Sequence, residues 1–344
     1  MSTRPDGGGI SDAWPAARII DVHTHVCPMH FPGAPASGAS KWPCMVLGAD
    51  GARTLTIGGK PFRGLDARSW DCGSRIEAMD REGIAMQALS PMPELLSYWL
   101  SPDAGEAMCD HVNGVIADLV AQGDGRFMGL GMAPLQDPSR AEAYLPRLRE
   151  VFGLKGFEVG SNIEGRLLGD LTLEPVYAAA ESLDLAIFVH ALHPIAPGPG
   201  HLQALVNGAG FPLDVALAAS SLISSGMLSR RPHLRIGFSH GGGALHAIAP
   251  RLDKVWEISE GFGGLVPERP SEAAQRLFYD SNVYDGDYLR HLATHTARDH
   301  VFLGTDYPYA LMQTDPANYL AGCGLNNAQL RSLSFGAAES FLGL

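Results

Sequence analysis

The chain has 344 residues, 46% of them hydrophobic, and carries a formal net charge of −12 from 25 basic and 37 acidic side chains. With no block of Lys or Arg, this balance excludes a nucleic-acid surface or an anionic membrane as partner, and it leaves any anionic ligand to be held by a few local cations. The composition is that of a globular protein with a sizeable core.

The first 17 residues, MSTRPDGGGISDAWPAA, lack the apolar segment of a signal peptide and read as a flexible lead-in. Residues 18–344 read as one domain. The apolar stretches beyond the lead-in look too short or too interrupted to span a bilayer. Short apolar, β-branched runs then recur along the chain: ARIIDVH (17–23), IAMQALS (84–90), RFMGLGMA (126–133), LKGFEV (154–159), LAIFVH (185–190), LRIGFSH (234–240), LFYDSNV (277–283) and HVFLGTD (300–306). Between them lie helical patterns such as SRAEAYLPRLREVF, EPVYAAAESL and GDYLRHLATHTA. Eight strands alternating with helices predict a (β/α)8 TIM barrel. No GxGxxG follows the first strand, which counts against a dinucleotide-binding sheet.

One connection departs from this rhythm. Residues 27–71 are rich in Gly, Pro and Trp, and ARTLTIGGKPFRG predicts a hairpin turning at Gly58-Gly59. An insertion after the first strand of a barrel lies over the mouth, so it is expected to act as a lid.

The five cysteines (Cys27, Cys44, Cys72, Cys109 and Cys323) are odd in number and widely spaced, without CxxC. They indicate neither a disulfide framework nor a thiolate zinc site, and they suit a reducing cytoplasm. A metal would need His and carboxylate ligands. His23 and His25 stand two apart in IIDVHTH, so a strand points both to one face. Alone, this pair leaves open a hydrogen-bonded core histidine beside a loop residue. Strand five, however, ends in His190, strand six in His240 and strand eight in Asp306. A barrel delivers all its strand ends to one mouth, so these groups converge where a divalent metal can be held. His193 is a second candidate near His190, favoured less because it lies in the loop. Glu158 near the end of strand four can reach the mouth or serve as a partnered structural carboxylate. The glycines of HGGGALH (240–246) suit either close approach to a ligand or a tight turn, and His246 then falls on the following helix.

IDVHTH, SWDCGSRIEAMDREGIAMQALSPMPELLSYW, RFMGLGMAPLQ, LEPVYAAAESLDLAIFVH, FSHGGG, LGTDYPY and FLGL together resemble the amidohydrolase superfamily. Within it they resemble the aminocarboxymuconate semialdehyde decarboxylase family, from residue 19 onward. The resemblance implies one divalent metal, usually zinc, on His23, His25, His190 and Asp306, although manganese or cobalt also suits such ligands. It implies His240 as acid/base, and Arg63 and Arg251 as grips on substrate carboxylates, Arg251 reaching across a homodimer interface. The implied function is non-oxidative decarboxylation of an unsaturated or aromatic carboxylic acid. Alternatives on the same residues are hydrolysis of an amide or lactone, hydration of a conjugated dicarboxylate, or a catalytically silent binding barrel. Departures from the family pattern touch substrate-facing positions. His190-Ala191-Leu192-His193-Pro194 replaces His-Pro-Trp, Ile57 stands at a lysine position, and Asn207 lies near a missing aromatic.

Overall fold

A computed structural model describes residues 18–35, 39–49, 51–196 and 202–344, so the lead-in lies outside the described residues. Eight parallel strands form the central sheet. Numbered in chain order, they are β1 (Ile19–Val26), β2 (Ile84–Pro91), β3 (Phe127–Gly131), β4 (Gly156–Gly160), β5 (Ala186–His190), β6 (Ile236–Phe238), β7 (Phe278–Asp280) and β8 (Val301–Phe302). Each pairs with its neighbour in sequence. The ring closes through the extended chain after β8, where Val22 N–H donates to Leu303 O at 2.9 Å and His25 N–H to Tyr307 O at 2.7 Å. This is the (β/α)8 barrel that the eight-fold repeat predicts.

Every residue of β1 is buried, as expected for a barrel strand covered on both faces. Its register slips by one residue between Asp21 (opposite Gln87) and Thr24 (opposite Leu89). Such an irregularity re-aims side chains. Val22 belongs to the same interior cluster as Phe188, whose ring centroid lies 5.1 Å from that of His23. Below the histidines a file of rings fills the barrel: Phe188 meets Phe302 at 6.2 Å, and Phe302 meets Phe341 of the C-terminal helix Ala337–Leu342 at 5.1 Å.

Local signals start and stop the helices. Asp137 caps Pro138–Glu150 by accepting from Arg140 N–H at 3.1 Å, with Pro138 in the first turn. Asp71 caps Cys72–Glu82, which ends at Gly83 in the left-handed conformation. The predicted hairpin forms as Arg53–Ile57 and Lys60–Leu65, turning through Gly58 (φ 57°) and Gly59 (φ 75°). Pro43–Leu47 adds a third strand to it.

Two expectations need correction. β6 and β8 are shorter than their apolar runs: His240 (φ 55°) turns the chain soon after β6, and beyond β8 the N–H groups of Leu303, Gly304 and Thr305 go to Leu333 O, Ser281 Oγ and Asp21 Oδ1 instead of a neighbouring strand, before Asp306 (φ 65°). Also, residues 203–224 form 22 continuous helical residues with a mean hydropathy of 1.3, enough by length and composition for a bilayer. Half of that window is buried, and Val215, Ala218, Ala219 and Leu222 pack in the main core. It is therefore a core helix, whose apolar character serves the barrel.

Candidate metal centre

The C-terminal ends of the strands bring His23, His25, His190 and Asp306 together, with one ligand atom from each within 4.8 Å of all the others. The tautomers follow from the outer hydrogen bonds. His23 Nδ1 lies 2.6 Å from Asp280 Oδ2, His25 Nδ1 lies 2.9 Å from Pro91 O, and His190 Nδ1 lies 2.8 Å from Ala191 O. Each neighbour is an acceptor, so Nδ1 carries the hydrogen and each Nε2 keeps a lone pair. Two of those lone pairs face each other, with His23 Nε2 and His25 Nε2 only 3.1 Å apart. Asp306 Oδ1 adds negative charge at 3.4 and 3.2 Å from them. The buried His190 Nε2 and Asp306 Oδ1 have no hydrogen-bond partner.

Four inward acceptors without a donor fit a cation, and three imidazoles with one carboxylate fit a divalent transition metal. The electrostatics agree. Burial opposes charge on His23, yet the carboxylates of Asp280 and Asp306 outweigh it and raise its pKa to about 10, so the Nε2 lone pair has a high affinity for positive charge. Burial and its histidine neighbours hold His190 well below its ordinary value. The centre thus attracts positive charge at its middle while keeping the imidazole of His190 neutral.

His240 opens a tight turn, His240–Gly242, after β6. Its ring centroid lies 5.3 Å from that of His190 and 5.6 Å from that of His23. Burial holds its pKa below the ordinary histidine value, with Asp280 opposing. Gly243 has left-handed backbone, and a Cβ there would come within 1.9 Å of Pro212 O. The glycines therefore serve the turn and its close approach to a helix.

Arg63 lies on the hairpin with its guanidinium 4.2 Å from the Tyr309 ring centroid, and Tyr309 stacks on His25 at 5.2 Å. The insertion thereby hangs a cation one ring above the centre. Arg251 is exposed on helix Leu245–Ile258. His193 points instead to Glu94, at 3.0 Å. Glu158 is fully buried 3.5 Å from His25 Nδ1, and neither of its oxygens has a hydrogen-bond partner. Burial pushes its pKa up to about 8, which favours the neutral acid. His246 packs edge-on to Tyr279 at 4.7 Å.

Asp280 was not singled out by sequence, although it ends β7 as His190 ends β5. It orients His23 and also accepts from Gly241 N–H at 2.8 Å, so one carboxylate fixes a metal-facing imidazole and the His240 turn. Arg75 was missed as well. It is buried and donates to His25 O at 3.0 and 3.1 Å, pinning the end of β1.

The family model described as Amidohydrolase matches residues 20–343. The chain is 30% identical to a 2-amino-3-carboxymuconate-6-semialdehyde decarboxylase of Dictyostelium discoideum over 94% of this chain and 91% of that one. Its fold matches a 5-carboxyvanillate decarboxylase from Sphingomonas paucimobilis with a TM-score of 0.77 at 24% identity, covering 95% and 99% of the two chains. It also matches a 5-carboxyvanillate decarboxylase from Novosphingobium aromaticivorans in complex with manganese (TM-score 0.71, 22% identity, 80% and 82% covered). The chain belongs to the amidohydrolase family, on its aminocarboxymuconate-semialdehyde-decarboxylase-like branch.

Proposed function

We infer that the protein is a metal-dependent, non-oxidative decarboxylase of a conjugated or aromatic carboxylic acid. The observation that carries this reading is the donor-free set of His23, His25, His190 and Asp306 with His240 alongside, in a chain of this family. His23, His25, His190 and Asp306 hold one divalent ion. Zinc is our assignment because imidazole and carboxylate suit it, although a relative is described with manganese. The bound ion supplies Lewis acidity that draws electron density from the substrate.

The chain's own residues do the rest. Arg63 binds a carboxylate by its planar fork and is held in place by Tyr309. His240, kept neutral by burial, takes up a proton and returns it. When the C–C bond to the carboxylate breaks, its electron pair stays on the substrate carbon. The proton from His240 completes a C–H bond there, and carbon dioxide leaves. Arg251 serves a neighbouring copy. It lies on one helix face between exposed Ile248 and Val255, beside exposed Leu213 and Leu217 of the adjoining helix, an apolar surface suited to a homodimer. The free cysteines suit a cytoplasmic setting.

The test is carbon dioxide release from muconate-type and hydroxybenzoate acids by metal-loaded protein. His240→Ala is expected to keep one bound ion and lose turnover; full activity in that variant refutes the assignment. For Arg251, mixing and re-equilibrating inactive His240→Ala and Arg251→Ala subunits is expected to restore roughly a quarter of parent activity through heterodimers. A fully active monomer refutes the shared site.

A further inference from the structure

The loop after β5 turns at His193, a non-glycine residue in left-handed conformation (φ 43°). Such backbone costs energy and persists where the surroundings over-determine it. Here they do. Asn162 Nδ2 donates to Leu192 O at 3.0 Å, to His193 O at 3.2 Å and to Asp214 Oδ2 at 2.9 Å. Asp214 Oδ1 in turn accepts from Ile195 N–H at 2.9 Å. The His193 side chain is 51% exposed, so core packing does not call for an imidazole.

What the turn does is lay that ring on Trp99, with centroids 5.4 Å apart and planes 19° apart. His193 Nε2 donates to Glu94 Oε2 at 3.0 Å, and that carboxylate raises the pKa of the ring and so favours the imidazolium, in which Nδ1 also carries a hydrogen; the Trp99 indole N–H donates to Lys41 O at 3.3 Å. The second ring nitrogen, His193 Nδ1, has no partner among the described residues. Together Tyr98, Trp99, Asn162, Glu164, Leu192 and His193 line a cavity of about 350 Å³.

This cavity adjoins the metal centre. His193 follows His190 by three residues, so their Cα atoms lie at most roughly 11 Å apart. Gly160 pairs with His190 across the sheet, and a Cβ on it would lie 3.1 Å from both Leu192 Cδ2 and Tyr98 Cε2. The cavity wall and the His190 ladder are therefore one piece.

We propose that this cavity is a substrate subsite, taking the planar, oxygen-bearing end of a conjugated or aromatic acid against Trp99 and His193, with His193 Nδ1–H donating to that oxygen. The proposal rests on the decarboxylase reading, in which the reacting carboxylate lies at the metal centre. Glu94 and Glu164 disfavour a second anion here, so the oxygen is a neutral carbonyl or ether. The Trp99–His193 pair also supplies the aromatic surface that Leu192 cannot.

The test compares three acids on manganese-loaded protein: 2,6-dihydroxybenzoate, its 4-acetyl derivative, and its 4-isopropenyl derivative, which matches the acetyl group in shape but lacks the acceptor. In His193→Phe, which keeps a ring and removes the donor, the kcat/KM ratio of acetyl to isopropenyl acid is expected to fall about tenfold, carried by KM. That is the size of one charge-assisted hydrogen bond. In Trp99→Leu both extended acids should lose against 2,6-dihydroxybenzoate. Equal losses on all three acids, or unchanged ratios, overturn the proposal. If the parent releases carbon dioxide from neither these nor muconate-type acids, the decarboxylase reading fails instead. Calorimetric affinities of the same acids for parent and variants then read the same ratios.

Discussion

Asp280→Asn isolates the part of the metal centre that no ligand list would include. The carboxylate is fully buried and makes three contacts: Oδ2 with His23 Nδ1 at 2.6 Å, and Oδ1 with Gly241 N–H at 2.8 Å and Asn282 N–H at 3.1 Å. An asparagine cannot satisfy all three and leave the His23 Nε2 lone pair free. If its oxygen stays with the two backbone donors, its NH2 faces His23 Nδ1, which must then accept, and the ring proton moves to Nε2. That nitrogen lies 3.1 Å from His25 Nε2, where a ligand lone pair is needed. If the amide flips, its NH2 meets two backbone N–H groups. The first arrangement keeps all three hydrogen bonds but removes the His23 Nε2 lone pair from the centre; the second leaves two buried backbone N–H groups without an acceptor, at about 1–3 kcal/mol each. Metal affinity should fall roughly 10- to 100-fold, which is about 1.4–2.7 kcal/mol. Competition between protein and a chelator for manganese measures this directly. Activity should return at saturating manganese, because His240 remains. A manganese affinity within about twofold of the parent would show that Asp280 does not set the His23 tautomer.

Other expected outcomes address the remaining groups. Arg63→Ala should raise KM for acids about tenfold or more with a smaller change in kcat, since a charge-assisted pair is lost from binding; an equal fall in kcat and kcat/KM with KM unchanged would place Arg63 in the chemical step. His246, whose ring nitrogens have no hydrogen-bond partner, is held down to about 4 by burial, with His291 adding to the shift. Because its folded pKa lies below the unfolded 6.5, only the unfolded chain takes up this proton between pH 6.5 and 4. The contribution of His246 to stability is therefore full above that window and falls by up to about 3 kcal/mol as pH drops through it. His246→Phe should flatten that acid limb in thermal melts, and an unchanged slope would refute the assignment. Arg75→Met should destabilise by about 3 kcal/mol or more in urea titrations, because it leaves His25 O and Arg68 O without their buried donor.

What the sequence reveals and what it hides divide along one physical line. His23 and His25 are legible because a strand's two-residue period is local, and His190 because it closes an apolar run. Asp280 also closes one, but its meaning lies in a partner 257 residues away, and nothing within FYDSN distinguishes it from other polar strand ends. The Glu94–His193 contact spans 99 residues and is equally silent in the sequence. The strand lengths fail for a related reason. His240, Asp306 and His193 all adopt left-handed backbone although none is glycine. Propensity reads such residues as ordinary, and it extends the strands through His240 and Asp306. In the barrel, the ladder has already ended at Phe238 and Phe302, and Asp306 joins the ligand cluster from left-handed backbone beyond it. Strand prediction therefore overruns at the positions where the site is built, because the backbone there is held for the side chain's aim and not for pairing.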